Sequence, residues 1–202
     1  MLFTPIEVLD IVIISLAIGY IFKDFIKVQH HAKYHEDPIK FYQQNVKLSN
    51  FKMAVLVTAP TIILHELGHK FMAISFGMIA QLKAAYTFLG LGILLKLMNF
   101  GFIFFVPAYV SWGCTNESCV VLLQQNPWIY SLIAFAGPLV NGILWILCYF
   151  AMKSSHIKPK YKPAIGLAKN INGFLFVFNM LPVPMFDGWH VYGGIIRSFG
   201  LF

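Results

Sequence analysis

Two imidazoles four positions apart, His65 and His69 in TIILHELGHKFM, lie on one face of a helix and can hold a single Zn²⁺. Glu66 between them is placed to take a proton from water on that metal and later to give it to a leaving amine. A hydrolytic zinc site takes three protein ligands and keeps one position open. The best third ligand is Asp187 in NMLPVPMFDGWH, because the proline-broken stretch before it can aim a carboxylate inward. The same position also suits a helix N-cap. Asn179, eight residues before Asp187, carries an amide that can donate to a substrate carbonyl or to the oxyanion formed as water attacks. A helix-packing hydrogen bond, worth about 0.6–2 kcal/mol in a membrane, would use that amide equally well.

These residues sit in apolar surroundings. Of the 202 residues 58% are hydrophobic, 16% aromatic and 11% charged, against about 25% charged in a soluble domain. Strongly charged groups in a spanning helix cost about 2.5–3.5 kcal/mol each, so His65, Glu66 and His69 within five positions point to function rather than packing. The net charge of +7 is concentrated in lysines of two connecting segments, a membrane-flanking pattern that calls for lipid and not nucleic acid. No basic region precedes the first apolar run and no small-residue cleavage site follows it, so that run is expected to be retained.

The elements that must position the site follow from the hydropathy pattern. Residues 6–22 form a first span, with Glu7 and Asp10 near one end. Residues 23–52 are a polar surface connection, partly helical. A second span, 51–78, carries HELGH past its midpoint, and Pro60 is expected to bend it. Residues 81–113 are apolar but interrupted by Gly90, Gly92, Gly101 and Pro107, and Tyr86, Thr87 and Phe102, Ile103, Phe104, Phe105 and Val106 favour strands. A re-entrant element with short strands packed on the site suits them. Residues 128–150 are a third span anchored by Trp128, Tyr130 and Tyr149. Residues 153–162 are a second basic loop, and 164–202 a span broken at Leu181-Pro182-Val183-Pro184. The expected fold is a predominantly α-helical integral membrane protein of about four transmembrane spans, the last one broken, with a small re-entrant β element after the zinc-bearing helix.

Three sequence blocks together resemble the site-2 proteases, intramembrane zinc metallopeptidases that cleave transmembrane substrates. They are HELGH at 65–69, Ala-Gly-Pro-Leu-Val-Asn at 136–141 and Asn179-Met-Leu-Pro-Val-Pro-Met-Phe-Asp187-Gly188. The resemblance covers three core spans in the family's order. It implies one catalytic Zn²⁺ held by His65, His69 and Asp187, with Glu66 as acid/base and Asn179 stabilising substrate or transition state. It further implies that Gly137, Pro138 and Asn141 let the third span pack closely on the zinc helix, as small residues and an interhelical amide would. Strands after the zinc helix occur in the family, where they help present an extended substrate. The partners implied are transmembrane protein substrates, and the location a cell membrane. Residues 113–127 are too few for a PDZ domain, so residues 1–202 are expected to be one membrane-embedded domain without a regulatory module.

Other features carry less. His30, His31 and His35 suit a solvated loop better than a surface metal, and His190, near Asp187, is within reach of the site but suits packing or an interface better. Lys70 either snorkels or keeps positive charge near the metal. Cys114 and Cys119 either pair across their short loop or stay free, and Asn116 matches a glycosylation acceptor that often arises by chance. Eleven of fifteen basic residues fall in 23–52 and 153–169, which makes that side cytoplasmic by the positive-inside rule. His65 lies thirteen residues beyond Lys52, about 20 Å of helix, nearer the opposite face, whereas the resemblance implies approach from the cytosol. Two other functions compete with intramembrane proteolysis. One is an inactive zinc-binding membrane chaperone or scaffold, which has no need of Glu66. The other is a peptidase trimming prenylated C-termini, which takes Glu rather than Asp as third ligand.

Overall fold

The computed structural model describes residues 2–24, 38–99 and 107–200, with side chains except at 38–49 and 160; His30, His31, His35 and Phe102 to Val106 lie outside them. Helix α1, Pro5–Phe22, starts with a reciprocal cap: Thr4 Oγ1 accepts from the Glu7 N–H at 3.3 Å, and Glu7 Oε2 accepts from the Thr4 N–H at 2.8 Å. Pro5 fits this first turn, where its missing N–H has no partner to lose. Helix α2, Pro38–Ser75, has 38 residues and is about 57 Å long. It begins well inside the segment expected to be a surface connection, and its apolar part is 50–75. Pro60 lies within it. Gly77, with φ of +77°, lets the chain leave the helix in the left-handed conformation.

The chain then forms strand β1, Ile79–Ala84, helix α3, Tyr86–Leu97, and strand β2, Ala108–Gly113. The strands pair antiparallel, Ile79 opposite Gly113 and Ala84 opposite Ala108. Tyr86 and Thr87, expected to favour a strand, instead open α3. Preference for a strand is largely a preference for a pleated surface to pack on. The Tyr86 hydroxyl instead bonds Asp10 of α1, and the Leu-rich run behind it continues as helix. Cys114 and Cys119 are disulfide-bonded across the turn into helix α4, Glu117–Gln125. Asn116 caps that helix by accepting from the Cys119 N–H at 2.9 Å, so its amide has a structural use.

Helix α5, Trp128–Lys153, is followed by α6, Lys162–Asn179, and α7, Asp187–Ser198. Three helical stretches among the described residues, 5–22, 50–75 and 128–153, are long and apolar enough to cross a membrane. Helix α6 is more polar, with Lys162, Lys169, Asn170 and Asn172. The outward faces of α1 and α5 carry exposed Leu9, Val12, Leu16, Leu139, Ile146 and Phe150, as lipid contact requires.

Helix α2 packs against α1, α5, α6 and both strands. One core joins Ile14 and Ile18 of α1 to Leu82, Ala84, Leu89 and Ala108; another joins Ala73 and Met78 to Cys119, Leu123, Ile129 and Ile133. Between lipid-solvated helices, small residues and interhelical polar bonds do much of the holding. A Cβ on Gly68 of α2 would lie 2.7 Å from the Ala136 carbonyl of α5, so the two backbones nearly touch. Asn172 of α6 donates to Thr61 Oγ1 of α2 at 3.1 Å, and Ser131 of α5 donates to the Val191 carbonyl of α7 at 2.7 Å. These contacts bring the start of α7 beside the C-terminal half of α2.

Candidate metal centre

The four-residue spacing on α2 stacks His65 and His69 on one face, with ring centroids 4.8 Å apart and Nε2 atoms 3.1 Å apart. Asp187 reaches them from α7. Its Oδ2 is 3.1 Å from His65 Nε2 and its Oδ1 is 3.4 Å from His69 Nε2, so the carboxylate straddles both rings. With one atom taken per residue, the three donors lie within 4.8 Å of one another. Zinc bonds of about 2.0–2.2 Å give tetrahedral edges of roughly 3.4 Å, close to the spacing between the facing nitrogens. Both imidazoles are buried and Asp187 is partly exposed.

The residues around this triad fit a metal. A Cβ on Gly137 of α5 would lie 2.8 Å from His65 Nε2 and still closer to His69 Nε2, so the missing side chain leaves open the space beside both Nε2 atoms. The outer nitrogens are also engaged. His69 Nδ1–H donates to the Ile133 carbonyl at 2.7 Å, which leaves the Nε2 lone pair free for a ligand bond. His65 Nδ1 faces the Asn141 amide at 3.0 Å, and Asn141 is fully buried. Asn141 Oδ1 has no hydrogen-bond partner among the described residues. Gly188, next to Asp187, is held where a Cβ would sit 2.5 Å from the Met180 carbonyl, so the turn before α7 closes tightly behind the carboxylate.

A cavity of about 470 Å³ opens on the triad. Glu66, Asn179 and His190 line it, as do Trp112 of β2 and Tyr130 of α5. Glu66 is buried, 8% exposed, on the turn of helix that bears both histidines, and Asn179 is the last residue of α6. The prolines 182 and 184 separate Asn179 from Asp187 yet leave both on the cavity wall.

With that geometry in view, residues 51–163 match the pattern of peptidase family M50. A protein of Methanocaldococcus jannaschii with the printed name "Putative zinc metalloprotease" is 30% identical over 192 residues, covering 92% of this chain and 83% of that relative. The chain belongs to peptidase family M50. This is the site-2 protease family of zinc metalloproteases, and zinc is its metal. No solved structure matches the chain.

In this M50 chain the triad, Glu66 and Asn179 line one cavity, and Gly137 and Asn141 of α5 lie against the two histidines. Pro138 is buried in α5 beside Gly137, where its ring offers no N–H to the Ala134 carbonyl one turn back. Lys70 does not snorkel and does not face the site. It is 1% exposed and donates to Glu7 Oε1 at 2.5 Å and to the Leu2 carbonyl at 2.6 Å, because the residue after His69 points toward α1. His190 lines the cavity, the first of the two uses its place near Asp187 allowed. Glu7 and Asp10, which the sequence places near one end of the first span without a partner, are 1% and 3% exposed in α1. The cost of burying carboxylates in a span was the signal available.

Proposed function

We propose that this metalloprotease is an intramembrane endopeptidase, which hydrolyses peptide bonds within or next to transmembrane segments of other membrane proteins. The observation that carries the reading is the convergence of His65, His69 and Asp187 beside Glu66, on a helix apolar enough to cross a bilayer. His65, His69 and Asp187 would hold the zinc, which would supply the Lewis acidity that activates water and a carbonyl. Glu66 takes the proton of the attacking water and hands it to the leaving nitrogen. Asn179, across the cavity, donates from its amide to the carbonyl oxygen as negative charge develops there. Asn141 presents its amide oxygen to His65 Nδ1–H, a half-rotation of the amide that holds the ring in the tautomer whose Nε2 can bind metal. Gly137 and Pro138 keep α5 close without filling the metal position.

A peptide bond in a helix is shielded by its own turns, so the substrate must unwind before cleavage. The edge of β2 offers the extended strand it needs. The N–H groups of Leu82 and Ala84 bond to α1 rather than to β2. Their partners in register are Val110 and Ala108, whose backbone groups by the alternation of an antiparallel ladder also point away from the shared seam. Ala108 and Val110 line the cavity, so strand addition there would lay a substrate beside the metal. Helices α6 and α7 together form the fourth, broken span, residues 1–202 act as one membrane domain, and the location is a cell membrane.

Replacing Glu66 by Gln tests the assignment. Zinc content and fold should be kept, while cleavage of a single-span substrate in vesicles falls by at least about a hundredfold, the range for losing a general base. Retained cleavage would remove Glu66 from its role. Stoichiometric zinc without hydrolysis of any membrane substrate by the unaltered protein would favour a substrate-holding scaffold.

A further inference from the structure

The buried acids of α1 form a ladder against β1. Gln81 Nε2 donates to Thr4 Oγ1 at 3.5 Å, the Leu82 N–H to Glu7 Oε1 at 2.8 Å, and the Ala84 N–H to Asp10 Oδ2 at 3.1 Å. The Tyr86 hydroxyl donates to Asp10 Oδ1. Helix and strand thus run in step. Glu7 and Asp10 are about 4.5 Å apart along the helix axis, while the two N–H groups they serve are about 6.6 Å apart along the strand. The longer glutamate side chain takes up the difference. Glu7 Oε1 also accepts from Lys70 Nζ, the residue after the zinc ligand His69, so one oxygen joins the zinc helix to the strand.

We infer that Glu7 and Asp10 are positioning residues: they occupy the outer edge of β1 as a third strand would, leaving β2 as the open edge and holding it in register with the metal triad. This rests on the reading that substrate adds as a strand. A two-stranded sheet has two edges that can recruit an extended chain. One edge here would lead a substrate away from the cavity, and that is the edge the carboxylates cover. Among the described residues no strand pairs with the other edge, and its Ala108 and Val110 face the metal site. A carboxylate is suited to the task because it accepts strongly from N–H groups and presents no donor to which a further strand could add. Neither acid touches the cavity, so they act through the sheet.

The test uses full-length zinc-loaded protein in lipid vesicles, with Asp10→Asn as the first variant. Glu7→Gln combined with Lys70→Met is the second, since it removes both buried charges together and keeps their volume. Three readouts are taken: zinc per chain, hydrogen exchange of the Leu82 and Ala84 amides, and kcat and KM on a single-span substrate. We expect one zinc per chain and kcat within about twofold, exchange faster by roughly tenfold at the amide whose bond loses its charged acceptor, and KM raised by a similar factor. Zinc loss, or a fall in kcat at constant KM, would make the acids ordinary supports of the site and overturn the inference. Unchanged exchange and KM in both variants would overturn it as well. Zinc content and exchange need no substrate, so a parent protein that cuts nothing would refute the proteolytic reading separately.

Discussion

Replacing Gly137 by Ala puts the metal centre under the most direct strain. The added methyl carbon would lie 2.8 Å from His65 Nε2, 2.6 Å from His69 Cε1 and nearer still to His69 Nε2, and zinc must sit about 2.0–2.1 Å from those same nitrogens. Methyl and metal compete for one volume. Relief by separating α2 from α5 would break the approach of Gly68 to the Ala136 carbonyl, where a Cβ has 2.7 Å. Overpacking of this kind costs about 1–3 kcal/mol, and the gain in helix propensity from Gly to Ala returns about 1 kcal/mol. The fold should therefore survive with a loss of roughly 0–2 kcal/mol. Zinc should not: loss of an outer-shell partner already weakens binding about 10–100-fold, and direct steric displacement should exceed that. Metal content by emission spectroscopy, competition against a calibrated chelator, and thermal unfolding of the purified protein separate the two effects. A Gly137→Ala protein that holds one zinc per chain with parental affinity would refute the placement of the metal between His65, His69 and Asp187.

Asn141→Leu should weaken zinc about 10–100-fold while Asn141→Asp, which keeps an acceptor toward His65 Nδ1, should retain it, as read by chelator competition. A strong chelator should abolish proteolysis of a vesicle-borne substrate, and stoichiometric zinc should restore it, because the three donors belong to a fold held by contacts elsewhere. The variants Glu66→Gln and Asp10→Asn separate chemistry from positioning, the first acting on kcat with zinc retained and the second on KM.

Much of this protein is local and therefore legible in its residues. His65 and His69 must share a helical face because of their spacing, and three apolar stretches long enough to cross a bilayer declare themselves by composition. Asp187 was legible for a different reason: a carboxylate just after a doubly proline-broken stretch has few uses in an apolar segment. The strands were legible only as a tendency. Tyr86 has a strand-forming side chain but starts a helix, its hydroxyl bonded to Asp10 of α1, and among the described residues no strand pairs beside it. Lys70 suits a snorkelling cation or a positive charge kept near the metal, and its pairing with Glu7 across 63 positions cannot be read from either residue alone.

What the amino-acid sequence determined by itself is the donor set: two imidazoles, a glutamate between them and a downstream carboxylate in apolar surroundings, each marked by residue type, short-range spacing or the cost of burying charge. What only the tertiary structure decided is the arrangement around them: Gly137 giving way to the metal, Ile133 and Asn141 holding the outer nitrogens, and α1 covering one edge of the sheet while the other faces the cavity. These contacts join residues 64 to 76 positions apart. No local periodicity encodes them, because they depend on which helix faces lie together once lipid excludes water from the rest.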